Sequence, residues 1–216
     1  TGRPMIQHVY ERARQAPGLG SLIIATDDER IYRAASAFGA DVLMTSAGHR
    51  SGTERAAEAA LKLKEPIIIN IQGDEPLVKA EMIEALIGVM QDESIPISTL
   101  ACKVRELSRI KEPGTVKVVF NSDGFALYFS RSPLPHGAED YFWKHIGIYA
   151  YRRDFLLSFA GLKPSRLEKA EKLEQLRALE NGFPIKIVET AYESIGVDYP
   201  EDIARVEVQL KRESHD

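Results

Sequence analysis

The 216-residue chain carries 28 basic and 32 acidic side chains, a net charge of −4, with 44% hydrophobic and 28% charged residues. That balance belongs to a well-cored globular protein and excludes a broad basic face for nucleic acid. One cysteine, Cys102, excludes an internal disulfide and points to a reducing, cytosolic setting.

Apolar residues at helical spacing predict a helix over Pro4–Ala16, with Ile6, Val9, Tyr10 and Ala13 on one side. Ser21–Ala25 is a short apolar strand, followed by a helix from about Asp28 to Phe38 that Thr26 or Asp27 can cap. A third strand is expected at Val42–Met44, and Ser51–Gly52–Thr53–Glu54–Arg55 opens a helix reaching about Lys64. Ile67–Ile71 is nearly all isoleucine. Its lack of polar alternation suits a strand covered on both faces, as in parallel sheets flanked by helices. A helix over Lys79–Gln91 follows.

Beyond it, Ser98–Val104, Val116–Phe120, Ala126–Phe129 and Lys144–Tyr151 read as strands, with Asn121–Ser122–Asp123–Gly124 as a turn. Ser165–Asn181 reads as one helix stopped by Asn181–Gly182, Ile185–Val188 as a late strand and Pro200–Arg212 as a closing helix. Cys102 falls in an apolar segment, where packing is the expected role. No apolar run approaches the about 20 residues that span a bilayer, and no signal peptide is visible. A parallel βα protein normally begins with a strand, whereas this sequence opens on Thr1–Gly2–Arg3–Pro4 and a helix, so a further front strand is expected.

Polar clusters follow the apolar strands. Gln72–Gly73–Asp74 stands at the carboxyl end of the isoleucine strand, where ligands of such sheets collect. Asp74 is a hard oxygen donor suited to Mg²⁺ on a phosphate, although an acidic strand-to-helix turn accounts for the pair equally. Thr26–Asp27 can meet a base or ribose, or simply cap a helix. Ser51–Gly52 with Arg55 offers hydroxyl, glycine and open N–H groups at a helix start, or a plain capping motif. Asp198 precedes the last helix as a cap or as a second metal ligand paired with Asp74. Arg131 suits a bidentate carboxylate clamp. His145 lies on an apolar strand, and Glu174 and Gln175 lie within an amphipathic helix.

The order and wording of these segments carry more than each alone. Gln72–Gly73–Asp74–Glu75–Pro76, the Ser51–Arg55 helix start, Ala126–Pro133, Lys144–Tyr149, Leu173–Arg177 and Gly196–Asp202 together closely resemble the 3-deoxy-manno-octulosonate cytidylyltransferase family, from about Arg3 to Lys211. The resemblance implies an α/β fold: a mixed, mostly parallel, Rossmann-like nucleotidyltransferase sheet flanked by helices, with a smaller lobe for sugar binding and dimerisation. It implies one nucleotidyltransferase domain over residues 1–216, working in the cytoplasm as a homodimer with no nucleic-acid or membrane partner. The implied reaction transfers CMP from CTP to the anomeric hydroxyl of Kdo, for lipopolysaccharide biosynthesis, with Mg²⁺ as cofactor.

Carried over position by position, Asp74 and Asp198 are the implied metal ligands and catalytic residues. Thr26, Asp27, Ser51, Gly52, Arg55 and Gln72 surround the nucleotide, and Arg131, His145, Tyr149, Glu174 and Gln175 form the sugar side. The family pattern also has a leading strand and an Ala-Arg-x-x-Ser-Thr-Arg-Leu-x-x-Lys loop that grips the triphosphate; only the short segment after it is matched here, by Gly2–Arg3–Pro4. Poor activity is expected without that loop, and a longer connection is expected near Pro135–Glu139. The same chemistry on sialic acid, a related glycosyltransferase, or a non-catalytic nucleotide-binding module are the alternatives.

Overall fold

Short apolar runs separated by capped helices give an alternating α/β chain, and the computed structural model describes residues 2–197 and 200–213. The chain divides into two compact units. One comprises Thr1–Lys64, Asn70–Glu84 and Ser194–Asp216, the other Glu65–Ile69 and Ala85–Glu193.

The first unit starts with α1 (Met5–Ala13), β1 (Ile23–Thr26), α2 (Glu29–Ala37), β2 (Asp41–Met44) and α3 (Gly52–Ala60). β1 and β2 pair in parallel, from Ile23 opposite Asp41 to Thr26 opposite Met44. Tyr10, Ile24 and Ala35 form the buried centre, with Ile6, Phe38 and Val42 packed against it. Two short-range bonds decide where α2 starts. The helix is capped by Asp28, whose carboxylate accepts from the Arg30 amide at 2.7 Å, rather than by Thr26 or Asp27. Thr26 instead accepts from the Asp28 amide at 3.1 Å and so shapes the entry to the cap. The helix α8 (Pro200–Glu213) adds Val206 and Leu210 to a second small core with Leu77.

The second unit is built on a six-stranded sheet. Its strands are β3 (Ile67–Asn70), β4 (Ile97–Val104), β5 (Lys117–Phe120), β6 (Ala126–Ser130), β7 (Phe142–Arg152) and β8 (Ile185–Thr190), in the order β6-β5-β7-β4-β8 with β3 also paired to β7. Every β4 residue except Lys103 is buried, which is why its sequence shows almost no polar alternation. The sheet is mixed, as expected. Within it β4 and β8 pair in parallel, and antiparallel pairing joins β4–β7, β5–β7 and β5–β6.

Helices α4 (Ala80–Val89), α5 (Arg153–Ala160), α6 (Arg166–Glu171) and α7 (Leu176–Glu180), with a 3-10 turn over Leu107–Lys111, complete the order. The single helix expected over Ser165–Asn181 is in fact two. α6 ends at Lys172, whose φ of 55° is left-handed, and α7 begins after Gln175. Cys102 is buried, and burial pushes its thiol up to about 11, so it packs rather than reacts. Among the described residues no helix is long and apolar enough to cross a membrane.

Candidate functional site

The nucleotide-side residues expected from the sequence gather in the first unit. Ser51 caps α3 by accepting from the Glu54 amide at 3.2 Å, so the capping motif is real. Gly52 has a separate reason to be glycine. A Cβ there would stand 2.8 Å from Gln72 Oε1 and 2.9 Å from Gln72 Nε2, closer than real Cβ contacts come. The Gln72 amide therefore lies directly against the first turn of α3, beside its open N–H groups. Arg55, one turn further on, donates to Thr45 Oγ1 at 2.5 Å and pairs with Asp27 at 3.1 Å. Thr26, buried at the end of β1, accepts the Thr45 amide on its carbonyl at 2.9 Å. Sequence order hides this: two strand ends and a helix start, residues 26–27, 45 and 51–55, are tied through one guanidinium.

Asp74 follows β3, half-buried, in the same unit. Its carbonyl accepts from the Val197 amide at 2.9 Å. The Ser194 hydroxyl donates to the Glu75 carboxylate, and a Cβ on Gly196 would lie 3.7 Å from Glu75 Oε1. The segment before Asp198 is thus laced to Asp74–Glu75, while Asp198 itself lies outside the described residues. Among the described residues no group of three or more histidine, cysteine or acidic side chains forms a metal cage.

The residues expected on the sugar side lie in the second unit. The β4–β7 register jumps between Thr99, opposite Tyr149, and Leu100, opposite Ile146, so Gly147 and Ile148 bulge out of the ladder. The Thr99 hydroxyl lies 2.8 Å from the Ile148 carbonyl, 3.1 Å from that of Ile146 and 3.0 Å from His145 Nε2. A hydroxyl has one proton. With that proton directed at the carbonyls, His145 donates through Nε2 and its Nδ1 is the acceptor. His145 is buried, with its ring 5.0 Å from Phe129 and 5.5 Å from Tyr149. Burial, aided by Lys144, holds its pKa down at about 3, so the ring is neutral. Burial likewise raises the Tyr149 phenol well above its ordinary value, with Tyr151 and Glu174 adding to the effect, so Tyr149 is an O–H donor.

Glu174 and Gln175 sit in the corner between α6 and α7, not within a continuous helix. Arg177, 3% exposed, anchors this corner. It makes paired bonds to Glu168 at 2.8 and 2.5 Å and reaches Glu174 at 3.1 Å. Gln175 is 6% exposed, and its Nε2 has no partner among the described residues. A buried amide N–H without a partner costs about 1–3 kcal/mol, so this one is open to a water or a ligand group.

Arg131 stands differently from the expected free clamp. Its guanidinium donates to the carbonyls of Glu171 at 3.0 Å and Pro113 at 2.9 Å, and lies 3.5 Å from that of Lys172. Sequence reasoning missed Glu171, Arg177 and Thr99; only Arg177 left a signal, as the last residue of the quoted Leu173–Arg177 motif.

Over residues 1–195 the chain matches the family model described as cytidylyltransferase. It is 50% identical over 226 residues to the 3-deoxy-manno-octulosonate cytidylyltransferase of Geobacter metallireducens, covering 98% of this chain and 89% of that one. The enzyme of the same name from Solibacter usitatus is 51% identical over 209 residues, covering 94% and 83%. A solved structure of CMP:2-keto-3-deoxy-manno-octonic acid synthetase complexed with CTP has a TM-score of 0.93 at 43% identity, covering 99% of this chain and 90% of that one. The 4-diphosphocytidyl-2C-methyl-D-erythritol synthase of Anaerococcus prevotii, at 14% identity and a TM-score of 0.66 over 97% and 87% of the chains, shows the shared fold alone.

Proposed function

We propose a reaction from one premise: this chain belongs to the 3-deoxy-manno-octulosonate cytidylyltransferase family. It transfers CMP from CTP to the anomeric hydroxyl of Kdo. The anomeric oxygen bonds to the α-phosphorus, the bond from that phosphorus to the bridging oxygen breaks, and pyrophosphate leaves with the electron pair. The hydroxyl proton passes to solvent. Such transfers rest on positioning and charge stabilisation. The observation that carries the reading is kinship over nearly the whole chain with a synthetase whose structure holds CTP.

In the first unit, Gln72 and the opening turn of α3 supply donors and acceptors for the cytosine edge, with Thr26, Asp27, Ser51 and Arg55 as the surrounding wall. Gly52 keeps that amide in place by the absence of a side chain. Asp74 and Asp198 would hold Mg²⁺. This donor set fits, because magnesium commonly takes one or two carboxylates and completes its shell with waters and substrate phosphates. Bound there, the ion would supply charge neutralisation to the phosphate oxygens.

In the second unit the sugar meets a set of complementary groups. Gln175 offers an amide N–H, Tyr149 a protonated phenol, Glu174 a carboxylate and His145 a neutral ring. A polyhydroxylated acid needs this mixture of donors and acceptors. Arg131 serves the same side through the backbone it ties.

The test is pyrophosphate release by the full-length protein with CTP, Kdo and Mg²⁺, with product mass measured in parallel. N-acetylneuraminate in place of Kdo is the comparison. Release with Kdo and a mass matching CMP-Kdo supports the reading. Release only with N-acetylneuraminate, or none with either sugar, overturns it.

A further inference from the structure

Lys117 on β5 is fully buried, yet it faces no carboxylate at bonding distance among the described residues. Its ammonium donates instead to three main-chain carbonyls: Glu112 at 3.2 Å, Thr115 at 2.6 Å and Arg131 at 2.5 Å. An ammonium has three N–H donors, so all are used on backbone. Burial holds the Lys117 pKa below its ordinary value, partly offset by Glu171. Burying a charge is costly unless it is well hydrogen-bonded, and this one spends all its bonds on main-chain carbonyls.

What it fixes is the exit of β6. Arg131, whose carbonyl Lys117 holds, turns its own guanidinium onto Pro113 and the end of α6. Glu171 closes the circuit from the other side. Its carboxylate accepts from Ser130 Oγ at 2.8 Å and from the Arg131 amide at 2.9 Å, while its carbonyl accepts from Arg131 Nε at 3.0 Å. The chain then leaves α6 through left-handed Lys172, a conformation that costs a residue with a Cβ about 1–2 kcal/mol. Three residues later stands Gln175, buried with its Nε2 unpaired. All of these residues lie in one compact unit.

We propose that Lys117, Arg131 and Glu171 form a positioning latch that holds the α6–α7 corner, and so sets where the Gln175 amide stands toward the sugar. These are positioning residues, acting through Gln175, and the proposal rests on the sugar-side reading above. It gives Arg131 a different duty from carboxylate recognition: the arginine secures the wall of the pocket.

The experiment is a double-mutant cycle on the full-length protein, read by steady-state kinetics varied separately in Kdo and CTP. Glu171→Gln is the primary variant, since it keeps shape and half-buried polarity and removes the charged acceptor. Lys117→Met is the second, for use where it folds. Gln175→Ala is the reporter. The latch predicts that Glu171→Gln raises the KM for Kdo about three- to tenfold, leaves the KM for CTP unchanged, and adds nothing further in the Gln175→Ala background. Multiplying effects of Glu171→Gln and Gln175→Ala, or equal shifts for both substrates, overturn it. If Gln175→Ala raises the KM for Kdo and Glu171→Gln does not, the latch fails and the sugar-side reading stands. If Gln175→Ala alone leaves the KM for Kdo unchanged, that reading fails and the latch with it.

Discussion

Replacing Gly52 with alanine separates folding from nucleotide binding at one atom. The added methyl would sit 2.8 Å from Gln72 Oε1 and 3.3 Å from Gln72 Cδ, so the amide must move. Gln72 is half-buried and its amide is the far end of a flexible side chain, so it can move without shifting backbone. An alanine in a helix gains up to about 0.5–1 kcal/mol over glycine, less in a first turn, and an off-rotamer glutamine costs about 0.5–1.5 kcal/mol. These nearly cancel, so the melting temperature should stay within about 4 °C of the parent. Binding has no such compensation. Losing one hydrogen bond of about 0.5–1.5 kcal/mol to the base raises the KM for CTP about two- to tenfold. The assay is steady-state pyrophosphate release at saturating Kdo, for Gly52→Ala, Gln72→Ala and the double variant, with thermal melts alongside. If the methyl acts by displacing Gln72, it adds nothing once Gln72 is alanine. An unchanged KM for CTP, or a large loss of melting temperature with equal effects on both substrates, would refute the reasoning.

Asp74→Asn should keep the fold, since it preserves shape and the backbone bond to Val197, while turnover falls at least a hundredfold; near-native turnover with unchanged Mg²⁺ dependence would remove Asp74 as a ligand. His145 is neutral in the fold with its pKa near 3, against 6.5 when exposed, so the unfolded chain binds a proton that the fold does not as pH falls from about 6.5 toward 3. Stability from this residue is therefore full above about pH 6.5 and declines below it, and melts across that window should show a shallower acid slope for His145→Gln than for the parent. An identical slope would mean the ring charges without cost. Lys172→Gly relieves a left-handed residue at an exposed position and should raise the melting temperature by about 1–4 °C, after the greater unfolded-state freedom of glycine is deducted; a decrease would show that the Lys172 side chain holds the corner.

Most elements were legible because their signals are local. The Ile67–Asn70 strand, the Ser51 cap and the Asn121–Gly124 turn each follow from a few adjacent residues. What escaped depends on distant partners. Nothing near Lys172 signals a left-handed residue, because the α6–α7 break is held by Arg131, some forty positions earlier. Helix α5 follows β7 without a separating turn, and its Phe155–Leu156–Leu157 run suits strand or helix equally. Three consecutive polar residues after β1 left the cap ambiguous, and only geometry selects Asp28. At the candidate site, the residues could be named from the sequence and their company could not. The contact of Gly52 with Gln72 and the isolation of the Gln175 amide join positions that no spacing rule links.

The bulge in β7 has a consequence for how this strand can change. Four residues of regular strand span about 13 Å, yet the rings of His145 and Tyr149 lie 5.5 Å apart. Two extra residues, Gly147 and Ile148, gather the strand so that the two rings meet. Because the insertion is even, residues on either side keep their alternation between the sheet faces. Loss of one residue there would leave a one-residue bulge, in which two residues of β7 oppose one of β4 and the strand bends locally. A residue can therefore be lost at this point without inverting the rest of β7, whereas a slip of the whole β4–β7 register by one would carry its buried face to solvent.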